Sequence, residues 1–234
     1  MPLPNCFCWT RFGTEAGEPI SHILERKEAE RVANAGVFVW GIGNAVGPSI
    51  RELLRRGPTP EVLFSPIKTS AKLQDVSPAT IVAWTSGETL DGETFYLPEH
   101  SLVTSRYDPG APRTGHYALV CFSRVPITLS QPEGKIVFDA LRNLRTGRPI
   151  GASQVTAVVE QRQTSSDEVR TYDVAIRAEL VYPYFVRLEQ PIVLPNSANT
   201  GPMNRDWTRT SFEFVRQRHP QPARRRQLSA QLGV

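Results

Sequence analysis

Cysteine is scarce in this chain: three residues, Cys6, Cys8 and Cys121, occur in 234. So few, and an odd number, build no disulfide framework, and reduced thiols are expected. Cys6 and Cys8 would ligate zinc only with a second pair, and no other Cys or His pair stands at ligand spacing, so no metal is expected. Long apolar runs are also missing. Nothing approaches the roughly 18 residues of a membrane span, and the opening "MPLPNCFCWT" lacks the basic start and small-residue cleavage site of a signal peptide. A cytoplasmic protein without membrane contact is the expectation. A nucleotide-phosphate fingerprint is absent too. Gly41, Gly43 and Gly47 join a strand-like run to an amphipathic one, but the dinucleotide pattern needs its third glycine at position 46, where valine stands. A phosphate-loop NTPase would follow Gly47 with Lys and Ser or Thr, whereas Pro48 and Ser49 follow here. No cofactor is expected.

What is present begins with charge. The chain carries +4, yet residues 201–234 hold seven arginines against two acids, a net +5, which leaves −1 for residues 1–200. The basicity therefore belongs to a C-terminal tail, 201–234, expected to be partly disordered and able to hold a polyanion by charge alone. Residues 1–200 read as a single domain, since no repeat or break in composition divides them.

The pattern along that domain is mixed. "NCFCWTRF" alternates Phe7 and Trp9 with Cys6 and Cys8, which predicts a half-buried strand. "EPISHILERKEAERVANAG" predicts a helix with Ile20, Ile23 and Leu24 as its apolar stripe, extended by Val32, and Gly36 as its stop. "VFVW" reads as a buried strand, and "GPSIRELLRRG" as a helix with Pro48 near its start and Gly57 at its end. Short β-rich runs follow: "EVLFSPI", "ATIVAWTSG", "ETFYLPEHSLVTSRY" and "HYALVCFSRVPI". A short helix is expected at "KIVFDALRNL", and "QRQTSSDEVRTYD" reads as the turn of a long hairpin between two later strands. The fold class predicted is α+β, a bent or closed antiparallel sheet decorated by several helices.

Three readings compete for "VFVWGIGNAVGPSIRELLRR": a phosphate cradle, a plain glycine turn, or a pocket for a flat heteroaromatic ring. In the third, the Trp40 indole stacks on the ring, Asn44 and the backbone of Gly41, Ile42 and Gly43 read its polar edge, and Trp84 and Trp9 add walls. A second cluster, "LRNLRTGRPIGASQVTAVV", places Arg142, Arg145 and Arg148 around two glycines with no acid nearby, a composition suited to nucleic-acid phosphate, with Arg106 as a possible fourth contact. An exposed end whose arginines are merely solvated is the bland alternative. Acid–base groups are thin: Asp91, Glu99, His100 and His116, with the Cys121 thiol, could serve an enzyme acting on a nucleotide or base, but no spacing fixes their geometry and no catalytic residue is assigned.

The order of these features, an aromatic first strand, an "EPISHILER" helix, a Trp-Gly-x-x-Asn loop, an amphipathic helix and "PEVLFSPIK", resembles the EVE family of the PUA-like superfamily over residues 6–68. Relatives of that superfamily include the YTH and ASCH domains. The resemblance implies a PUA-like barrel that binds DNA or RNA and accepts a modified base, with Trp40 to Asn44 and Ser65 near the base. In this chain Gly43 stands where the family's loop has arginine.

Overall fold

The computed structural model describes residues 2–13, 20–42, 46–57, 59–67, 80–97, 102–105, 116–129, 132–163 and 169–193. Gly43, Asn44, Glu99, His100, Arg106 and the segment 201–234 lie outside the described residues.

Twelve strands and two α-helices follow one another as β1 (Cys6–Phe12), α1 (Ile20–Ala33), β2 (Val37–Ile42), α2 (Gly47–Arg56), β3 (Glu61–Pro66), β4 (Thr80–Thr89), β5 (Thr94–Tyr96), β6 (Leu102–Ser105), β7 (His116–Phe122), β8 (Gly134–Val137), β9 (Leu141–Asn143), β10 (Thr156–Gln161), β11 (Thr171–Val174) and β12 (Ile176–Val193). Ten strands form one sheet in the order β2-β7-β12-β3-β1-β10-β9, with β4 branching from β12 and carrying β5 and β6. β8 and β11 make a separate two-stranded ribbon.

The α+β expectation holds, with two corrections. The sheet is mixed rather than antiparallel, because β1 and β3 pair in parallel. A parallel pair needs a crossover between its members, and the α1–β2–α2 stretch supplies it. The second correction concerns "KIVFDALRNL". Instead of a helix it forms β8, a single 3₁₀ turn (Phe138–Ala140) and β9. Ile136, Phe138 and Ala140 are buried while Lys135, Val137 and Asp139 are less so, a period of two in place of a helical stripe, with β8 paired to β11 and β9 to β10. The long hairpin at "QRQTSSDEVRTYD" does not form either, since β10 lies between β1 and β9 while β11 pairs with β8.

The sheet is strongly bent. In a flat sheet three strand spacings, roughly 14 Å, would separate β2 from β3, yet the Trp40 and Phe64 rings lie 4.8 Å apart, centroid to centroid. Phe12 of β1, one strand further on, still reaches Trp40 at 5.7 Å. One face thus curls around a core of Cys8, Phe12, Phe38, Trp40, Phe64, Leu119 and Cys121, which Ile50 and Leu53 of α2 join. Among the described residues β2 and β9 remain the two ends of the path, so the hydrogen-bonded ladder does not close on itself. The opposite face is covered in two places, by Trp84, Phe95 and Leu97 at one end and by Ile136, Phe138 and Val174 at the other.

Helix α1 meets this body along Ile23, Leu24, Lys27 and Glu30, one turn-spaced stripe. Val32, expected on that stripe, is 65% exposed. Among the described residues no helix is long and apolar enough to cross a membrane.

Candidate nucleic-acid interface

Alternation along the strands decides where the tryptophans go. On β1, Cys8 and Phe12 face the curled core, so Trp9 between them faces the other way. There its ring lies 5.7 Å from Phe138 and 5.3 Å from Tyr172, and its Nε1–H donates to the Ser65 hydroxyl at 3.0 Å with both residues buried. Trp40 faces the curled core, 7% exposed, between Phe12 and Phe64. Trp84 packs with Val37 and Val39, on the face of β2 opposite to Trp40, with the His116 ring 5.1 Å away.

The expected cage is therefore corrected: Trp9, Trp40 and Trp84 sit in three separate clusters and cannot wall a single pocket. Ser65 is the hydrogen-bond acceptor of Trp9, a structural task in the core. Gly41 and Ile42 are strand residues paired with Ala118 and Tyr117 rather than part of an open loop. Trp40→Ala is accordingly expected to cost about 3–5 kcal/mol of stability through the cavity it leaves; urea unfolding measures it, and a loss below about 1 kcal/mol would contradict the packing described.

Among the described residues the acid–base candidates Asp91, His116 and Cys121 do not converge. Asp91 is exposed and pairs with Arg51 at 2.9 Å. His116 lies beside Trp84, whereas Cys121 lies in the curled core, where burial pushes its thiol well up. Cys8, in the same core, is pushed up to about 12. Thiols so raised stay protonated and are poor nucleophiles. Among the described residues no three His, Cys, Asp or Glu side chains are placed to hold a metal ion.

The arginines sort more sharply. Arg31 pairs with Glu28, Arg55 and Arg56 with Glu52, Arg162 with Glu160, Arg170 with Asp139, Arg177 with Glu61 and Arg187 with Glu88. The Arg170 guanidinium holds the Asp139 carboxyl below the usual carboxylate range, as expected for a made pair. Arg145 and Arg148 differ. Both are exposed, both sit on the turn that follows β9, and neither has an acidic partner among the described residues. Arg142 spends Nη1 on the carbonyls of Asp139 and Leu141, both at 2.8 Å, and it too lacks a carboxylate.

This turn is braced by its own backbone. The Asn143 Oδ1 accepts from the amides of Arg145 at 3.1 Å and Thr146 at 3.0 Å, an Asx turn. The Asn143 amide donates to the Arg148 carbonyl at 2.8 Å, and Arg142 bridges to Pro149. Gly147 takes φ +68°, a left-handed position that glycine fills without steric cost. No family model, curated protein or solved structure matches this chain. The geometry of the turn must therefore carry the functional reading.

One residue near this turn escaped the sequence reading. Arg11, on the same strand face as Phe7 and Trp9, is buried at 7% exposure. The signal was available: in a period of two, a charge two residues after a buried tryptophan falls on the tryptophan's side.

Proposed function

We propose that this chain is a nucleic-acid-binding module of the PUA-like, EVE-related kind, and that the turn carrying Arg145 and Arg148, with Arg142 at its base, is where phosphates are held. The observation that carries the reading is the contrast in pairing. Among the described residues most of the surface arginines named above have an acid; the two at the tip of one braced turn have none, and the other exposed arginine without one, Arg124, lies over the Phe122 ring. Unpaired guanidiniums offer forked donors to phosphate oxygens without first breaking an ion pair. A turn fixed by its own amide bonds presents them with little ordering cost.

The element order β1–α1–β2–α2–β3 and the curl of the sheet around Trp40, Phe12 and Phe64 support a PUA-like barrel. With the indoles packed in separate clusters, recognition of a base, modified or not, falls to groups other than a tryptophan cage, Asn44 being the candidate that the sequence offers. DNA and RNA are both candidate partners.

The test is a titration of the full chain with short single-stranded and duplex DNA and RNA, with and without modified bases, at about 50 mM and about 200 mM salt. Affinity is expected to fall steeply between the two conditions, and Asn44→Ala is expected to reduce any preference for a modified base. No detectable binding at the lower salt would sink the proposal.

A further inference from the structure

Arg11 lies on β1 under the segment that leads from the arginine turn back into β10. Its Nη2 donates to the carbonyl oxygens of Ala152 and Gln154, at 2.7 and 2.5 Å, and its backbone amide donates to the Val155 carbonyl at 2.8 Å. The guanidinium carbon sits 5.5 Å from the Trp9 ring centroid and 5.7 Å from that of Tyr172, and Nη1 reaches the Tyr172 hydroxyl at 3.4 Å. No carboxylate accompanies it among the described residues, and its Nε is buried without an acceptor. A buried cation without an anion is costly, and the two aromatic faces offset only part of that.

The segment it holds has little else to hold it. Gly151, Ala152 and Ser153 are exposed, and a Cβ built on Gly151 or Gly147 would meet nothing within 4 Å. Ile150, 7% exposed, is the apolar anchor that follows the turn. The Nη2 of Arg11 alone reaches two carbonyls that no apolar side chain could engage.

We infer that Arg11 is the positioning residue of the phosphate-binding turn: the turn is braced internally as one unit, and by fixing Ala152 and Gln154 against β1 Arg11 sets how that unit sits on the sheet and so the direction in which Arg145 and Arg148 project. The inference rests on the phosphate reading above. Arg11 itself, enclosed by Trp9, Tyr172 and the segment it clamps, does not touch the nucleic acid.

The experiment compares the full chain, Arg11→Met, Arg11→Lys, Arg145→Ala/Arg148→Ala and their combinations, with a single-stranded DNA of about twelve nucleotides as the probe. Arg11→Met is expected to weaken binding about 5-fold at about 0.15 M salt, the worth of roughly one phosphate contact, and to lower the salt slope. Arg11→Lys is expected to do the same, because lysine loses the planar guanidinium that lies against Trp9 and Tyr172 and aims Nη2 at both carbonyls; it also serves if the Met variant does not fold. Neither change should weaken binding further in the Arg145→Ala/Arg148→Ala background. Amide exchange should rise within residues 151–154 in the Arg11 variants and not in the double variant. Equal losses in both backgrounds, or unchanged binding in the Arg11 variants, would overturn the positioning role while leaving the phosphate reading intact. Unchanged binding in Arg145→Ala/Arg148→Ala would overturn both.

Discussion

Glu30→Ala is expected to destabilise the fold by about 3–5 kcal/mol, the cost of breaking a buried ion pair from one side, and to lower the melting temperature by about 6–20 °C for a chain of this size. Glu30 is fully buried on α1, and its carboxylate accepts from the Lys27 ammonium at 2.6 Å and from the Val39 amide at 2.8 Å. The second bond explains why a carboxylate is there. Among the described residues β2 pairs with β7 alone, so the Val39 N–H on its outer edge finds no described strand to bond to, and an unsatisfied buried donor is expensive. Burial pushes the Glu30 carboxyl up, and Lys27 pulls it back toward ionisation. Removing the carboxylate takes the ion-pair partner at 2.6 Å from a buried ammonium and the acceptor from a buried amide. A calorimetric shift below about 2 °C would show that Glu30 does not carry this load. The paired change Lys27→Met/Glu30→Leu removes both charges and is expected to recover only part of the loss: apolar side chains of similar volume often match a buried pair, but the Val39 amide still loses its acceptor.

Arg145→Ala/Arg148→Ala is expected to weaken oligonucleotide binding by about 10- to 30-fold at about 0.15 M salt and to reduce the slope of log K against log salt by about 1.4 for single strands or about 1.8 for duplex. Both numbers follow from the loss of two phosphate contacts, so they must move together. Stability should hardly change, because the turn is braced through Asn143 and Gly147 rather than through the two guanidiniums. The control is Arg55→Ala/Arg56→Ala, which removes as much charge from arginines already paired with Glu52. If the control weakens binding as much as the turn variant, generic charge rather than the turn is responsible. Comparison at two salt concentrations within the same full chain also separates the turn from the seven arginines of residues 201–234.

The sequence was most legible where one local rule dominated. β1, β2, β3 and β7 were visible as aromatic or β-branched runs, and α2 as an amphipathic stretch with Pro48 and Gly57 at its ends. Legibility failed where a distant partner decided. "KIVFDALRNL" fits a helix by itself, and only pairing of Ile136 with Tyr172 and of Leu141 with Gln161 makes it strand, turn and strand. The same cause split the expected hairpin, because β10 and β11 each found a partner far along the chain. For the site, the run of arginines without acids was readable from composition, whereas the absence of ion pairs to distant acids was not. The tryptophans misled because a single sequence shows that an indole sits on a strand, not which side of a curled sheet that strand turns inward. Arg11 was hidden for a related reason: its partners Ala152 and Gln154 are about 140 residues away.

The eighteen residues of β12 pair with β3, with β7 and with β4. Without β12, the ladder of the described residues falls into β2–β7 on one side and β3–β1–β10–β9 on the other, with β4, β5 and β6 detached as well, and no other described strand joins them. A ribosome making this chain therefore releases both halves before their common neighbour exists. Until Ile176 and the residues after it emerge, the facing edges of β3 and β7 are open ladders, each able to recruit a strand from another molecule. The vulnerable interval for this protein is thus the one before β12 emerges, and holding those two edges apart from other chains is the service that a nascent-chain chaperone would have to supply.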